Sequence, residues 1–503
     1  MDTLAFLAQG FAVAMTPTNL LLALFGCIAG TMIGSLPGLG PVNGVAILIP
    51  LAFTLGLDPT SALILLSAVY YGAMYGGRIS SIILNIPGDE PAIMTTLDGY
   101  PMAKKGKAAE ALAISGVASF IGATVATLGL TLFAPLLAKA AIYFGPADYF
   151  ALYVLAFATI GGVSGMNPMK TLLAACIGLM LATVGLDPST GTARYTGGSY
   201  DLYDGFDPIV AIVGLFAISE MLMLFEGNLG ATAIPSVGRV VPRMKDILFS
   251  LGATLRGSAV GFIAGILPGA GASLGAVMSY SVEKRVSDKN KTFGTGDPRG
   301  VAAPEAGNNA ASGAALIPML TLGVPGSGTT AVMLAMLISF NVQPGPLLFQ
   351  NQPDIVWGLI ASLYIANIVL LVLNIPFIGL FTRLLMLPQW VLMPFVLIVS
   401  FLGVFAISNS VHGLLVMIAF GVLGYVLRKM EISLIPVVLG VLLGGDMEDN
   451  LRRALSISGG DPWILVHSPI SIGLYIATAA LLVIAFVFAE RSTPAPGTSH
   501  NVK

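Results

Sequence analysis

The sequence predicts an all-α polytopic integral membrane protein made of two inverted-topology repeats, with Pro-Gly broken helices or re-entrant hairpins. Three observations carry that prediction. Of 503 residues, 56% are hydrophobic and 10% charged, against about 25% charged in a soluble domain. Apolar runs of bilayer length recur along the chain. A Gly- and Pro-rich string occurs twice, and each copy is followed by a second Pro-Gly pair.

The same composition excludes other classes. Disorder needs low hydrophobicity, and a coiled coil needs charged heptads. A nucleic-acid binder needs a basic excess, whereas the net charge here is −2. Cys27 and Cys176 sit in apolar runs and read as small buried hydrophobes. His412, His467 and His500 are too scattered for a zinc site. The 60 Gly and 31 Pro fit closely packed and broken membrane helices.

Candidate membrane segments run over 4–26, 42–57, 60–77, 111–137, 147–163, 171–186, 207–226, 247–267, 304–323, 329–340, 356–377, 385–407, 411–427, 433–444 and 468–489. Several are too short to span alone and flank Pro-Gly pairs, so roughly 11–14 membrane segments are expected. The first run lacks a basic flank and is too long for a cleavable signal, and no Lys or Arg precedes Arg78. The end, from Arg491, reads as a short disordered tail.

The repeat is explicit. GTMIGSLPGLGPVNG (30–44) and GFIAGILPGAGASLG (261–275) share seven positions, including Pro37-Gly38 with Pro268-Gly269 and Gly40 with Gly271. ISSIILNIPGDEPA (79–92) and IPMLTLGVPGSGTTA (317–331) align Pro87-Gly88 with Pro325-Gly326. The offsets are 231 and 238, so seven residues of loop separate the two alignments. The expected division is a membrane repeat over 1–245, a second over 246–489 and a tail over 490–503. Basic loops face the cytoplasm. LGLDP (55–59) is uncharged by Lys or Arg while its counterpart EKRVSDKNK (283–291) is basic. MAKKGK (102–107) is basic while its counterpart 340–352 is not. Equivalent loops therefore sit on opposite sides.

Matched helix breaks in inverted halves are the signature of a secondary transporter. An unwound segment in lipid leaves N–H and C=O groups unpaired, and a ligand in a wet cavity can satisfy them. At LPGLG, Pro37 breaks the helix before it. Gly38 and Gly40 permit positive φ and close approach of a ligand, as do Gly269 and Gly271. The restarting helix offers N–H groups to an anion. Ser35, Asn43 and Ser273 add side-chain donors. The other reading of such a motif is tight helix crossing. In the second breaks, Gly326, Ser327, Gly328, Thr329 and Thr330 form a donor-rich turn suited to a carboxylate or, through carbonyls, to sodium. Gly326 to Ala331 also spells GxGxxA, but no βαβ unit surrounds it. No GxxxxGK[ST] string exists, so the chain is not its own ATPase.

Single polar and charged residues each admit more than one role. Asp89 and Glu90 suit a coupling cation or proton, or an ordinary helix N-terminal pair. Asn85 is a polar ligand candidate. Arg78 pairs with an anionic substrate, with Asp89 or Glu90, or snorkels to the interface. Asn308 and Asn309 suit sodium or substrate, or join helices. Glu305 would cap its helix, and Glu220 is a lone acid expected to pair within the bundle.

YYGAMYGGRISSIILNIPGDEPAIMTTLDGYPMAKKGKAAEA, GILPGAGASLGAVMSYSVEKR, FGTGDPRGVAAPEAGNNAASGAALIPMLTLGVPGSGTTAVMLAML and NVQPGPLLF resemble the large permease subunit of the tripartite tricarboxylate transporter family, over about residues 15–490. The resemblance implies a multi-pass protein of the bacterial inner (cytoplasmic) membrane. It implies symport of an organic acid anion, a di- or tricarboxylate such as citrate, on a sodium or proton gradient. It implies a small four-helix membrane subunit and a periplasmic solute-binding protein as partners, and no cofactor beyond a possible sodium ion. Site roles carry over to Pro37-Gly38, Pro87-Gly88, Pro268-Gly269, Asn308-Asn309 and Pro325-Gly326. Arg78 departs from the pattern, where a small residue is expected, and so bears on which anion is accepted. Two rivals stand beside this reading. One is a passive anion channel. The other is an intramembrane hydrolase, from the GxSG string Gly162–Gly165 with His412 as base.

Overall fold

The computed structural model describes residues 3–36, 38–163, 168–226, 240–269, 271–384 and 389–492. Most of them are helical. In the first half run α1 (Thr3–Ala14), α2 (Pro17–Ser35), α3 (Gly40–Thr54), α4 (Pro59–Leu84), α5 (Ile93–Lys104), α6 (Ala108–Ala141), α7 (Pro146–Val163) and α8 (Pro168–Ala182). A loop with a two-residue hairpin, β1 (Gly185–Leu186) and β2 (Ala193–Arg194), leads to α9 (Pro208–Val213) and α10 (Ser219–Glu226), joined by a π-helical turn at Gly214–Ile218. The chain continues through α11 (Met244–Ile266), α12 (Gly271–Ser287), α13 (Pro298–Ala314), α14 (Leu316–Leu322), α15 (Gly328–Ser339) and α16 (Leu348–Asn351). It ends in α17 (Pro353–Asn374), α18 (Ile378–Leu384), α19 (Gln389–Ser408), α20 (Val411–Lys429), α21 (Ile435–Ile457) and α22 (Pro469–Ser492).

This is the predicted all-α membrane class. Among the described residues six helices are long and apolar enough to cross a bilayer, the segment Pro208–Glu226 being one, and shorter apolar helices accompany them. Exposed apolar stripes fit lipid contact, such as Val411, Leu415, Ile418, Val422 and Val426 down one face of α20. One expected span, 4–26, is two helices, because Pro17 occupies the first turn of a new helix. Asp-Pro pairs start others. Asp58 accepts from the backbone N–H of Thr60 and Ser61 at 2.9 and 3.1 Å, and Asp207 from Ile209 and Val210 at 2.7 and 3.2 Å.

Glycine sets the closest packing. A Cβ on Gly26, Gly30 or Gly34 of α2 would stand 2.6, 2.2 and 2.1 Å from the carbonyl oxygens of Leu65, Val69 and Ala73 on α4. A Cβ on Gly257, Gly261 or Gly265 of α11 would stand 2.4, 2.1 and 2.3 Å from those of Ala303, Gly307 and Ala311 on α13. The two glycine sets lie 231 residues apart and their partners 238 apart, the offsets of the sequence strings. One packing unit is thus built twice. Small residues let backbones approach this closely where lipid supplies no hydrophobic drive.

The connection between break and hairpin differs between the halves. It runs 55–58 between α3 and α4, and 288–297 between α12 and α13. The longer loop is held by Asp98 of α5. Its Oδ1 accepts from the N–H groups of Gly294, Gly296 and Asp297 at 2.9, 2.8 and 2.8 Å, and its Oδ2 from the Tyr280 hydroxyl at 3.0 Å. Lys105 Nζ donates to the Thr295 carbonyl at 2.6 Å. At the β-hairpin loop, Arg452 binds the Asp187 carboxylate with both Nη atoms at 3.2 and 2.9 Å, and Arg194 and Arg452 share Glu448. The hydrogen bond from Arg452, with the N–H groups of Ser189 and Thr190, holds the Asp187 carboxyl down to about 2.

Candidate functional site

The two Pro-Gly breaks and the two hairpins after them meet around one cavity of about 460 Å³. Gly38, Gly40 and Asn43 come from the first break, and Gly269, Gly271 and Ser273 from the second. Asp89 and Glu90 come from one hairpin, and Ser327, Gly328 and Thr329 from the other. Each break turns with two positive-φ glycines at matched places: Gly38 (87°) and Gly40 (60°), Gly269 (79°) and Gly271 (63°). Only glycine holds such turns without steric cost.

The hairpins match as well. The helix before each ends in a left-handed residue, Asn85 at φ 59° and Gly323 at φ 69°. Before each following helix a side chain holds the turn: Asp89 Oδ1 accepts from Ala92 N–H at 3.0 Å ahead of α5, and Ser327 Oγ caps α15 by accepting from Thr330 N–H at 3.2 Å. Asp89 is 8% exposed, lines the cavity, and its Oδ2 has no hydrogen-bond partner. The halves also touch across the site. Ser273 donates to Glu90 at 3.2 Å, and the Tyr70 and Ser327 hydroxyls lie 3.4 Å apart.

Several expected site residues lie elsewhere. Pro37 lies outside the described residues. Ser35 is buried and donates back to the Met32 carbonyl at 2.7 Å. Asn85 is an exposed helix terminus, chosen because Asn tolerates the left-handed region. Pro87, Pro268 and Pro325 shape the breaks without lining the cavity. Gly88 packs on Gly34 and Gly77, and Gly326 on Ala315. The N–H groups of Gly269 and Gly271 are taken by the carbonyls of Pro325 and Gly326 at 3.2 and 3.0 Å, so this break does not offer those donors to a ligand. Thr330 completes a capping box with Ser327, which uses its hydroxyl.

Arg78 neither snorkels nor pairs with Asp89 or Glu90. It is fully buried, with Nη1 donating to the Leu112 carbonyl at 2.8 Å and Ser115 Oγ at 2.7 Å, and Nη2 to the backbone and side-chain oxygens of Asn374 at 3.2 and 3.3 Å. It ties α4 to α6 and α17. Glu305 lies in the middle of α13, which Asp297 caps, and accepts from Thr95 and from Ser119 at 3.1 Å. Asn309 donates to the Glu305 carbonyl at 3.0 Å. Asn308 is buried with neither amide atom partnered, and it is not among the cavity-lining residues.

Other lining residues escaped the sequence reading. Tyr70 and Met74 come from α4, Phe216 from the π turn, Met223 from α10, Arg428 from α20 and 431–435 from the link to α21. Glu220 does pair within the bundle, as expected of a lone acid in a span. Arg428 Nη1 donates to Glu220 Oε2, Asn43 Nδ2 donates to the same oxygen at 3.3 Å, and Arg428 Nη2 donates to Asn43 Oδ1 at 3.3 Å. Arg428 carried no signal beyond its place at the end of an apolar run. Ser164 of the GxSG string lies outside the described residues, and His412 faces Asp201 at 3.9 Å.

Comparison with known proteins agrees with this architecture. A family model described as tripartite tricarboxylate transporter TctA family matches residues 20–439. An uncharacterized 52.8 kDa protein in the TAR-I ttuC′ 3′ region of Agrobacterium vitis is 38% identical over 493 residues, 98% of each chain. An uncharacterized protein in the TAR-II ttuC′ 3′ region of the same organism is 39% identical over 232 residues, 46% of this chain and 96% of its own. No solved structure matches.

Proposed function

The chain belongs to the tripartite tricarboxylate transporter TctA family, and from that premise we propose that it is the large membrane subunit of a secondary importer for a di- or tricarboxylate such as citrate. It works in the bacterial inner membrane with a small four-helix membrane subunit, and a periplasmic binding protein delivers the anion. The two halves, 1–245 and 246–489, are inverted repeats that close around the substrate. A sodium or proton gradient drives accumulation.

The observation that carries this reading is the convergence of both Pro-Gly breaks and both hairpins on one cavity. A transporter site lies between its repeats, where unwound backbone is permitted. The charges on the wall support coupling to cations. Among the described residues the lining carries one cation, Arg428, and three carboxylates, Asp89, Glu90 and Glu431, so a multivalent anion rests there only with added positive charge. Asp89, a wall residue with one buried and unpartnered oxygen, is the candidate to hold that cation.

The test is uptake of labelled citrate and succinate into proteoliposomes. The chain is reconstituted with its small membrane subunit and binding protein, with and without imposed sodium and proton gradients. Accumulation that needs the binding protein and one gradient is expected. Gradient-independent equilibration without the binding protein would refute the importer and leave a channel.

A further inference from the structure

We propose that Arg428 is the residue that grips a substrate carboxylate, through its Nε/Nη2 edge, and that Glu220 is the positioning residue that presents it. This rests on the transport reading above. No helix break or Pro-Gly motif contains either residue.

Arginines elsewhere in this chain hold carboxylates in three ways: through both Nη atoms at Arg452, through Nη1 alone at Arg194, and side-on at Arg256 and Arg299. Arg256 binds Glu283 side-on, with Nε and Nη2 each at 2.8 Å. Arg299 binds Asp297 the same way, with Nε at 3.0 Å and Nη2 at 2.7 Å. This bidentate edge is the strong geometry of a guanidinium. Arg428 departs from it. Its internal carboxylate, Glu220, takes Nη1 only, Nη2 makes a 3.3 Å bond to a neutral amide, and Nε is buried with no partner. An unmade bond at a buried donor of a charged group is costly. The edge that two sibling arginines use is thus unoccupied on the arginine that lines the cavity.

The surroundings suit a carboxylate. Asn43, in the first turn of α3, is held by both members of the pair and supplies an amide beside the guanidinium. Glu220 Oε1 comes within 4.0 Å of the place a Cβ on Gly38 would take, so the pair sits at the first break itself. Glu220 lies two residues beyond the end of the π turn, a feature frequent at functional sites. An arriving carboxylate takes Nε and Nη2, and Asn43 turns from Arg428 to the substrate. Glu220 keeps Nη1 and fixes the plane of the guanidinium.

The experiment measures KM and the maximal rate of citrate and succinate uptake in the reconstituted system for four forms beside the wild type. They are Arg428→Lys, Glu220→Gln, the reversal Glu220→Arg/Arg428→Glu, and Lys429→Gln. The last removes a neighbouring exposed ion pair with Glu226 that does not line the cavity. Arg428→Lys preserves the charge and the pairing with Glu220 but loses the edge, so KM is expected to rise about 10- to 100-fold. Glu220→Gln is expected to raise KM less, and Lys429→Gln to leave it unchanged. The reversal restores an ion pair, so the protein is expected to fold, as judged by size exclusion and thermal unfolding, without recovering KM. Arg428→Lys at the wild-type KM, or full uptake by the reversal, would overturn the assignment of Arg428 alone. Wild-type protein that accumulates neither anion would instead overturn the transport reading on which it rests.

Discussion

Asp89 and Ser327 hold the same position in the two halves. They lie 238 residues apart, and each accepts from the N–H three residues on as the chain enters the next helix. Each also stands against the second glycine of its own break, the Cβ sites of Gly40 and Gly271 lying 3.6 and 3.7 Å from their Cβ atoms. One half therefore presents a carboxylate to the cavity where the other presents a hydroxyl.

On the proposed cation coupling, that asymmetry points to Asp89 in the first half as the residue to test. Asp89→Asn retains an oxygen to accept from Ala92 N–H but removes the charge. Gradient-driven uptake in proteoliposomes is expected to fall between about 5- and 150-fold, the span of ordinary coupling energies. Exchange of substrate without a gradient is expected to survive. Undiminished gradient dependence in this variant would take Asp89 off the coupling route.

The glycine ladders predict where the bundle tolerates no methyl group. Gly34→Ala and Gly265→Ala place a Cβ about 2 Å from a facing carbonyl, which forces the helices apart at a cost of roughly 1–3 kcal/mol. Thermal unfolding in detergent is expected to shift down for both, and by similar amounts because the contact is the same. Gly473→Ala, where the Cβ meets open space, is the control and is expected to leave the midpoint in place.

Arg78 is a structural tie. Arg78→Gln strips donors from Leu112, Ser115 and Asn374 and is expected to cost roughly 2–3 kcal/mol. The protein that still folds is expected to retain the wild-type KM for every anion tested. A change in the order of preferred anions would return Arg78 to the substrate path.

The loop over 183–207 carries a pH signature. Asp187 is held at about 2, below the ordinary 3.8, chiefly by Arg452. Its contribution is complete above the ordinary value and is lost as the pH falls through the lowered one. Hydrogen exchange at Ser189 and Thr190 is expected to stay slow from pH 7 to about 4, and protection to fall between there and 2. Arg452→Gln is expected to bring the loss to higher pH.

Much of this was readable in advance, for physical reasons. Low charge and long apolar runs can only be a membrane body. Breaks at Pro37-Gly38 and Pro268-Gly269 stood out because Pro and Gly disrupt a helix by local rules. Those rules placed Gly38, Gly40, Gly269 and Gly271, which turn at positive φ. They could not say which polar groups the breaks consume. Thr330 looked like a ligand and is a cap, and Asn85 looked like a ligand and is a helix end. Arg78 is buried among helices while Arg428 lines the cavity, and burial and pairing are tertiary facts. The π turn that precedes Glu220 has no periodic signature at all.

The loop that breaks the symmetry of the two halves also fastens them. Asp98 belongs to the first half, and the amides of Gly294, Gly296 and Asp297 that it gathers belong to the second. The Asp98 carboxylate and the Lys105 ammonium thus pin the two halves together at one rim. The segment that makes the two halves unequal in length is therefore spent on joining them.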